Sequence, residues 1–250
     1  MFELVLSEGD LLKNAIPIVA DILDEGVFKI NKNGISLISP DRSMISVVDL
    51  RIPATVFEKI EVEGEKLVGV NMSNLVLITK RIKSGSRIIL RLANEKTLEF
   101  IIEGRTGGRR KFSIPLIEVS TEKPPIEELT FKTKVEISSE LLQEGIEDAD
   151  IIDDSLVFEA TPDKFKIYAK SETSANELEI SKGEAGLKEL NAPEITKARY
   201  PIDYLKKMIK ARKFSDTAVI EFSTDYPLRL TFEEKDRIRM SFILAPRVEE

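Results

Sequence analysis

Four aspartates, Asp148, Asp150, Asp153 and Asp154, crowd one short stretch, and carboxylates at that density could hold a calcium ion. A calcium loop also needs a central glycine for its sharp turn and a closing glutamate that binds through both oxygens. Neither falls at the required spacing, so the stretch reads as a helix end and a turn. Gly104-Arg105-Thr106-Gly107-Gly108 offers backbone amides to a phosphate. The Gly-Lys-Ser/Thr of a phosphate loop does not follow, and strand-like runs flank the segment, which makes it a hairpin turn. The chain has no histidine and no cysteine. Ser-His-Asp triads, imidazole acid–base chemistry, His- or thiolate-bound metals and disulfides are therefore excluded. Carboxylate-only catalysis stays open, and the enzymatic rival it suggests is a carboxylate-dependent metal hydrolase. No catalytic residue, metal or cofactor is assigned, and the reading favours a binding protein over an enzyme.

The elements that would carry any such site show a duplication. Shifting the sequence on itself by 130 residues lays Leu11-Leu12 on Leu141-Leu142, Ile16 on Ile146, Asp24 on Asp154, Leu37 on Ile167 and Leu50 on Ile180. The same shift lays Val70–Leu75 on Tyr200–Leu205, Lys80 on Lys210, Ile89 on Val219, Leu98 on Leu228 and Glu103 on Glu233. Near the end the offset becomes 128, with Phe112 on Met240. Apolar register held this long marks two copies of one domain.

Each copy reads as strand, helix, several strands, helix, several strands. In the first, Phe2–Leu6 alternates, while Leu11, Leu12, Ala15, Ile16, Val19, Ile22 and Leu23 keep helical spacing. Pro17 falls inside that helix and predicts a kink or restart, since it removes one backbone bond. Strands are predicted at Val27–Ile30, Gly34–Ser39, Met44–Ile52, Ile88–Leu92, Thr97–Ile102 and Lys111–Leu116, and a second helix capped by Ser73 runs to about Ile82. Two helices among many strands give an α+β layered domain. Thr121–Glu128 holds adjacent prolines and no periodicity, the mark of an extended strap. The expected organisation is residues 1–118, a connecting strap 119–129, and residues 130–250.

The 250 residues are 42% hydrophobic and 32% charged, with a net charge of −7. Abundant Lys and Glu beside a single glutamine, Gln143, resemble the composition of proteins from hot-growing organisms. Met1–Leu4 enters a strand-like run with no basic leader, and no apolar stretch approaches the roughly 18 residues that span a bilayer. No membrane partner is expected.

The two-copy plan, the proline strap and the terminal Leu244-Ala245-Pro246-Arg247-Val248-Glu249-Glu250 together resemble the proliferating cell nuclear antigen family of sliding DNA clamps, in its archaeal form. Ser39-Pro40-Asp41-Arg42-Ser43-Met44, Leu116-Ile117-Glu118-Val119 and Tyr226-Pro227-Leu228 add to the likeness, which covers the whole chain. The resemblance implies duplicated clamp-fold domains, each with two helices on antiparallel sheets. Three such subunits, identical or paralogous, close head to tail into a pseudo-sixfold ring around duplex DNA. It further implies a clamp loader, and polymerase, ligase and flap nuclease docked through short hydrophobic peptides. The location would be cytoplasmic and nucleoid-associated in a prokaryote, or nuclear in a eukaryote. A checkpoint-type clamp subunit is the nearest alternative.

Three surfaces follow. Facing DNA in the hole would be Lys13, Lys80, Arg81, Lys83, Lys206, Lys207, Lys210, Arg212 and Lys213. Contact through phosphates alone leaves a clamp free to slide over any sequence. The third helix carries no basic residue. Instead Glu140, Glu144 and Asp148 recur every four residues on one face, where like charges repel. A basic partner surface would relieve them, and Arg81, Lys83, Arg109, Arg110 and Lys111 are the candidates for a subunit seam. Edge strands would accompany them, Arg109–Leu116 of one subunit beside Glu177-Leu178-Glu179-Ile180 of the next. The partner-peptide pocket would gather Pro40, Met44, Ile45, Ile126, Leu129, Pro227, Ile243, Ala245 and Pro246. Alternation predicts Ile243 and Ala245 outward and Leu244 inward.

Overall fold

The structure is a computed structural model and describes residues 1–118 and 124–248. The chain forms two units. One comprises Met1–Ser43, Val48–Pro124 and Glu234–Arg239; the other comprises Met44–Val47, Pro125–Glu233 and Met240–Glu250.

The first unit contains β1 (Phe2–Leu6), α1 (Asp10–Ala20), β2 (Glu25–Asn31), β3 (Gly34–Pro40), most of β4 (Ser46–Pro53), β5 (Phe57–Val62), β6 (Lys66–Asn71), α2 (Met72–Thr79), β7 (Arg87–Asn94), β8 (Thr97–Glu103) and β9 (Arg109–Pro115). Its strands pair antiparallel in the orders β5-β1-β7-β8-β9 and β4-β3-β2-β6. The second unit contains β10 (Thr133–Ser138), α3 (Ser139–Asp150), β11 (Ser155–Ala160), β12 (Lys164–Lys170), β13 (Ala175–Ser181), β14 (Leu187–Asn191), β15 (Thr196–Pro201), α4 (Ile202–Met208), a 3-10 helix Ile209–Phe214, β16 (Thr217–Phe222), and most of β17 (Leu228–Glu234) and β18 (Ile238–Leu244). Its orders are β14-β10-β16-β17-β18 and β13-β12-β11-β15.

The second pair of orders repeats the first, element for element. Backbone bonds repeat at the same offset. Gly9 N–H donates to the Ser86 carbonyl at 2.8 Å, and Ser139 N–H to the Asp216 carbonyl at 2.9 Å. Met72 N–H donates to the Asp24 carbonyl at 2.9 Å, and Ile202 N–H to the Asp154 carbonyl at 2.9 Å. Both helices of each unit thus start on an amide tied to a distant segment, satisfying donors that a helix start leaves open.

Burial follows the expected faces. Leu11, Leu12, Ala15, Ile16, Ile18 and Val19 of α1 are buried, and Leu75, Ile78 and Ile82 line the inner side of α2 and the turn after it. In α3 the inner face includes Gly145, a residue that costs about 1 kcal/mol against alanine inside a helix. A Cβ there would stand 2.8 Å from the Cδ1 of Ile167 on β12, so glycine lets the helix lie against that side chain.

Several local expectations are corrected. Pro17 neither ends nor restarts α1, which continues to Ala20, with Asp21 N–H donating to the Pro17 carbonyl at 3.0 Å. The cap of α2 is Asn71 and not Ser73: the Asn71 side chain accepts from Asn74 N–H at 3.2 Å. Helix α2 ends at Thr79, and bonds from Arg81 to Ile78 and Ile82 to Thr79 carry a tighter turn onward. Met44 does not begin a strand, because its φ of 58° turns the backbone left-handed and β4 starts at Ser46. Strand β5 lies outside the predicted strands because its charged residues Glu58, Lys59 and Glu61 mask the alternation. No described helix is long and apolar enough to cross a membrane.

Candidate functional site

Within the second unit, segments far apart in sequence converge on the end of β17. Tyr226-Pro227 precedes it, after Asp225 whose φ is 50°. The buried Tyr200 hydroxyl donates to the Tyr226 carbonyl at 2.7 Å, fixing that turn. Phe131 meets the Tyr226 ring edge-on, with centroids 6.1 Å apart. Arg229 lies over Phe131, its guanidinium carbon 4.9 Å from the ring centre, and donates to the Ile126 carbonyl at 3.0 Å. From another direction Ala245 N–H donates to the Ile45 carbonyl at 2.9 Å. Met44, 72% exposed, and Ile45, 38% exposed, leave apolar surface open beside the C-terminal segment. Such surface marks binding sites, and methionine adapts to varied ligands.

Of the pocket candidates, Leu129, Pro227, Ala245 and Pro246 are half-buried, and Pro40 of the first unit is too. Ile126 sits in a short 3-10 turn and is buried, only 7% exposed, as is Ile243. The alternation argument thus fails at Ile243: β18 is buried on both faces, and Leu244 is enclosed beside it. Of the expected strap, residues 119–123 lie outside the described residues, as do Glu249 and Glu250 of the tail. Sequence reasoning names Tyr226 only as part of the family likeness and assigns Arg229, Phe131 and Tyr200 to no site. The alternation of β17 holds the only trace, a charged Arg229 between apolar Leu228 and Leu230.

The four crowded aspartates do not converge on a common point. Asp150 accepts from Lys206 Nζ at 2.6 Å, Asp153 faces Arg199 at 3.6 Å, and Asp154 pairs with Arg247. The Arg247 guanidinium holds the Asp154 carboxyl below its usual range, and the Asp150 bond raises Lys206 above the usual lysine value.

Glu140, Glu144 and Asp148 are exposed along α3, and Ile151 after it is 80% exposed. The sheet edge β13 in the same unit carries Glu177 and Glu179, held by Lys166 and Lys164 of β12 at 2.8–3.0 Å. In the first unit β9 is likewise a sheet edge. There Arg109 faces Glu103 at 3.6 Å, Arg110 donates to the Arg81 carbonyl at 3.1 Å, and Lys111 bonds Glu99 at 2.9 Å. Leu77 of α2 is 65% exposed.

The basic candidates divide by element. Lys13 on α1 is half-buried. Lys80, Arg81 and Lys83 are exposed past the end of α2. Lys206, Lys210, Arg212 and Lys213 are exposed along α4 and the 3-10 helix, and the half-buried Lys207 lies over the Tyr204 ring at 5.2 Å.

Known proteins match the whole chain. The model of the proliferating cell nuclear antigen N-terminal domain matches residues 1–123, and that of the C-terminal domain matches residues 125–247. The DNA polymerase sliding clamp of Thermococcus gammatolerans is 36% identical over 249 residues, covering 100% of this chain and 99% of the relative. That of Pyrococcus furiosus is 34% identical with the same coverage. The crystal structure of PCNA from Thermococcus kodakaraensis matches with a TM-score of 0.90 at 28% identity, covering 99% of this chain and 100% of that one. With both domain models matched in tandem and the duplicated antiparallel fold beneath them, the chain belongs to the proliferating cell nuclear antigen family.

Proposed function

We propose that the chain is a subunit of a sliding clamp that encircles duplex DNA and tethers DNA polymerase, a binding platform and not an enzyme. The observation that carries this is the full-length match to archaeal DNA polymerase sliding clamps, across both domains and with the whole fold in common. Sequence-independent sliding needs only contact with phosphates. The exposed lysines and arginines at the ends of α2 and α4 are suited to that contact, despite the net charge of −7. The acidic face of α3 adds nothing to it.

The ring would contain three chains joined head to tail, a heterologous contact that closes when the rotation fits. The free edges β9 and β13 supply complementary partners, one rich in Arg and Lys, the other in Glu. Exposed Leu77 and Ile151 supply apolar surface for the same seam. Residues 119–129 would connect the two domains, and the surface around Met44, Ile45, Pro227 and Ala245 would take the short hydrophobic peptides of polymerase, ligase and flap nuclease. A clamp loader would open the ring, acting in the cytoplasm on nucleoid DNA.

Two measurements test this. Light scattering of the chain, alone or with its paralogues, should give the mass of three chains. The protein, placed on closed circular DNA by a loader, should stay bound until the circle is cut. Release that ignores linearisation rejects encirclement.

A further inference from the structure

Among the described residues, one hydrogen bond from elsewhere in the chain reaches the segment 124–130, and Arg229 donates it, to the Ile126 carbonyl at 3.0 Å. The turn's own bond, Glu128 N–H to the Pro125 carbonyl at 3.2 Å, is local and ties it to nothing else. We infer that Arg229 is the positioning residue that fastens the downstream end of the interdomain strap to the sheet, and so sets how well the peptide pocket is formed before a partner arrives. The inference rests on the proposed peptide pocket.

The geometry is built for this. Arg229 lies on β17 directly opposite Glu221 of β16, and the two approach to 3.6 Å. Glu221 braces the guanidinium from the sheet side. Phe131, just past the strap, offers its ring to the planar face of the same group. One side chain thus makes a charge-assisted bond, a cation–π contact and an ion pair, and only a guanidinium has the planar fork to do all three. Its side chain is 21% exposed, so water competes little for the Ile126 carbonyl. A strap released from this bond would spend part of its time away from the sheet. Partner affinity would then fall in proportion to the time the formed pocket is lost.

The test uses the full chain and a synthetic peptide with one aliphatic and two aromatic anchors on a single helical turn. Calorimetry reads affinity, and amide hydrogen exchange reads the turn Ile126–Leu129. Arg229→Met should weaken the peptide about tenfold, as loss of one charge-assisted bond would, and should speed exchange in that turn. Arg229→Lys keeps one donor and the charge but not the fork, and should fall between Arg229→Met and the unaltered chain in both readouts. Ile45→Asp serves as the check on the pocket itself. If Ile45→Asp abolishes binding while Arg229→Met and Arg229→Lys bind and exchange like the unaltered chain, the role of Arg229 is overturned and the pocket stands. If Ile45→Asp leaves affinity unchanged, the pocket reading fails and takes this inference with it.

Discussion

The amide of Ala245 donates to the carbonyl of Ile45 at 2.9 Å, joining the C-terminal segment to the short stretch Met44–Val47 that belongs to the same unit. The bond leaves the Ile45 side chain partly in solvent, where a hydrophobic peptide would cover it. Ile45→Asp would bury an unpaired carboxylate under the peptide, at a cost of about 2–4 kcal/mol of affinity. The side chain is already 38% exposed, so the melting temperature should hardly move. Calorimetry with a clamp-binding peptide, set against a thermal melt, checks both halves.

The subunit seam should respond to charge reversal on α3. Glu144→Lys with Asp148→Lys places two cations where the opposing surface of the next chain is proposed to be basic. Exposed pairs are worth under about 1 kcal/mol each, so a single reversal should loosen the ring and the double one split it. Light scattering at micromolar concentration would show the mass of one chain. An unchanged trimer mass rejects this face as the seam.

Leu77→Glu tests the apolar share of the same seam. The residue is 65% exposed in the single chain, so glutamate costs the monomer little, yet in a closed ring it would bury a charge. The expected result is a folded monomer with an unaltered melting profile.

Glu99 gives a pH signature. Lys111 and then Arg91 hydrogen-bond its carboxylate and hold its pKa below the usual range. A depressed carboxylate contributes stability above its unfolded pKa and loses it as pH falls through the folded value. Glu99→Gln should therefore lower the melting temperature at neutral pH, and the gap to the unaltered chain should close on acidification. Melts between pH 7 and the acid limit of folding would reveal a constant gap if the ion pairs carry nothing.

Gly34 opens β3 directly after the turn from β2 with φ 122°, and a Cβ there would lie 2.1 Å from the Ile52 carbonyl oxygen. Backbone cannot retreat as a side-chain tip can. Gly34→Ala should cost about 3 kcal/mol, measured by denaturant titration.

The plan of the fold was legible because the 130-residue offset carries the apolar faces of both copies with it. Leu12 and Ile16, and Leu142 and Ile146 at the same offset, fall on the buried side of their helices in sequence and in space. What escaped was set by tertiary contacts that periodicity does not encode. Asn71, two residues before the predicted serine, caps α2 because its side chain reaches Asn74. Ile243 is buried because β18 has cover on both faces. The charged candidates were readable as types and positions, but their partners were not. Asp150 of α3 accepts from Lys206, and the Ile126 carbonyl of the strap accepts from Arg229, pairings that residue spacing does not encode.

The bonds repeated between the copies, Gly9 to Ser86 with Ser139 to Asp216, and Met72 to Asp24 with Ile202 to Asp154, run from backbone to backbone. Such bonds place no demand on the side chains of the residues that make them; three of the four paired positions differ, Gly and Ser, Met and Ile, Ser and Asp, and one is Asp in both copies. The two halves can therefore drift apart in sequence without losing their common geometry. The outward faces are released to specialise, so that α3 has become an acidic stripe where α1 carries Lys13. One architecture, written twice, thereby presents two unlike exteriors, one on each unit, as the proposed head-to-tail ring would require.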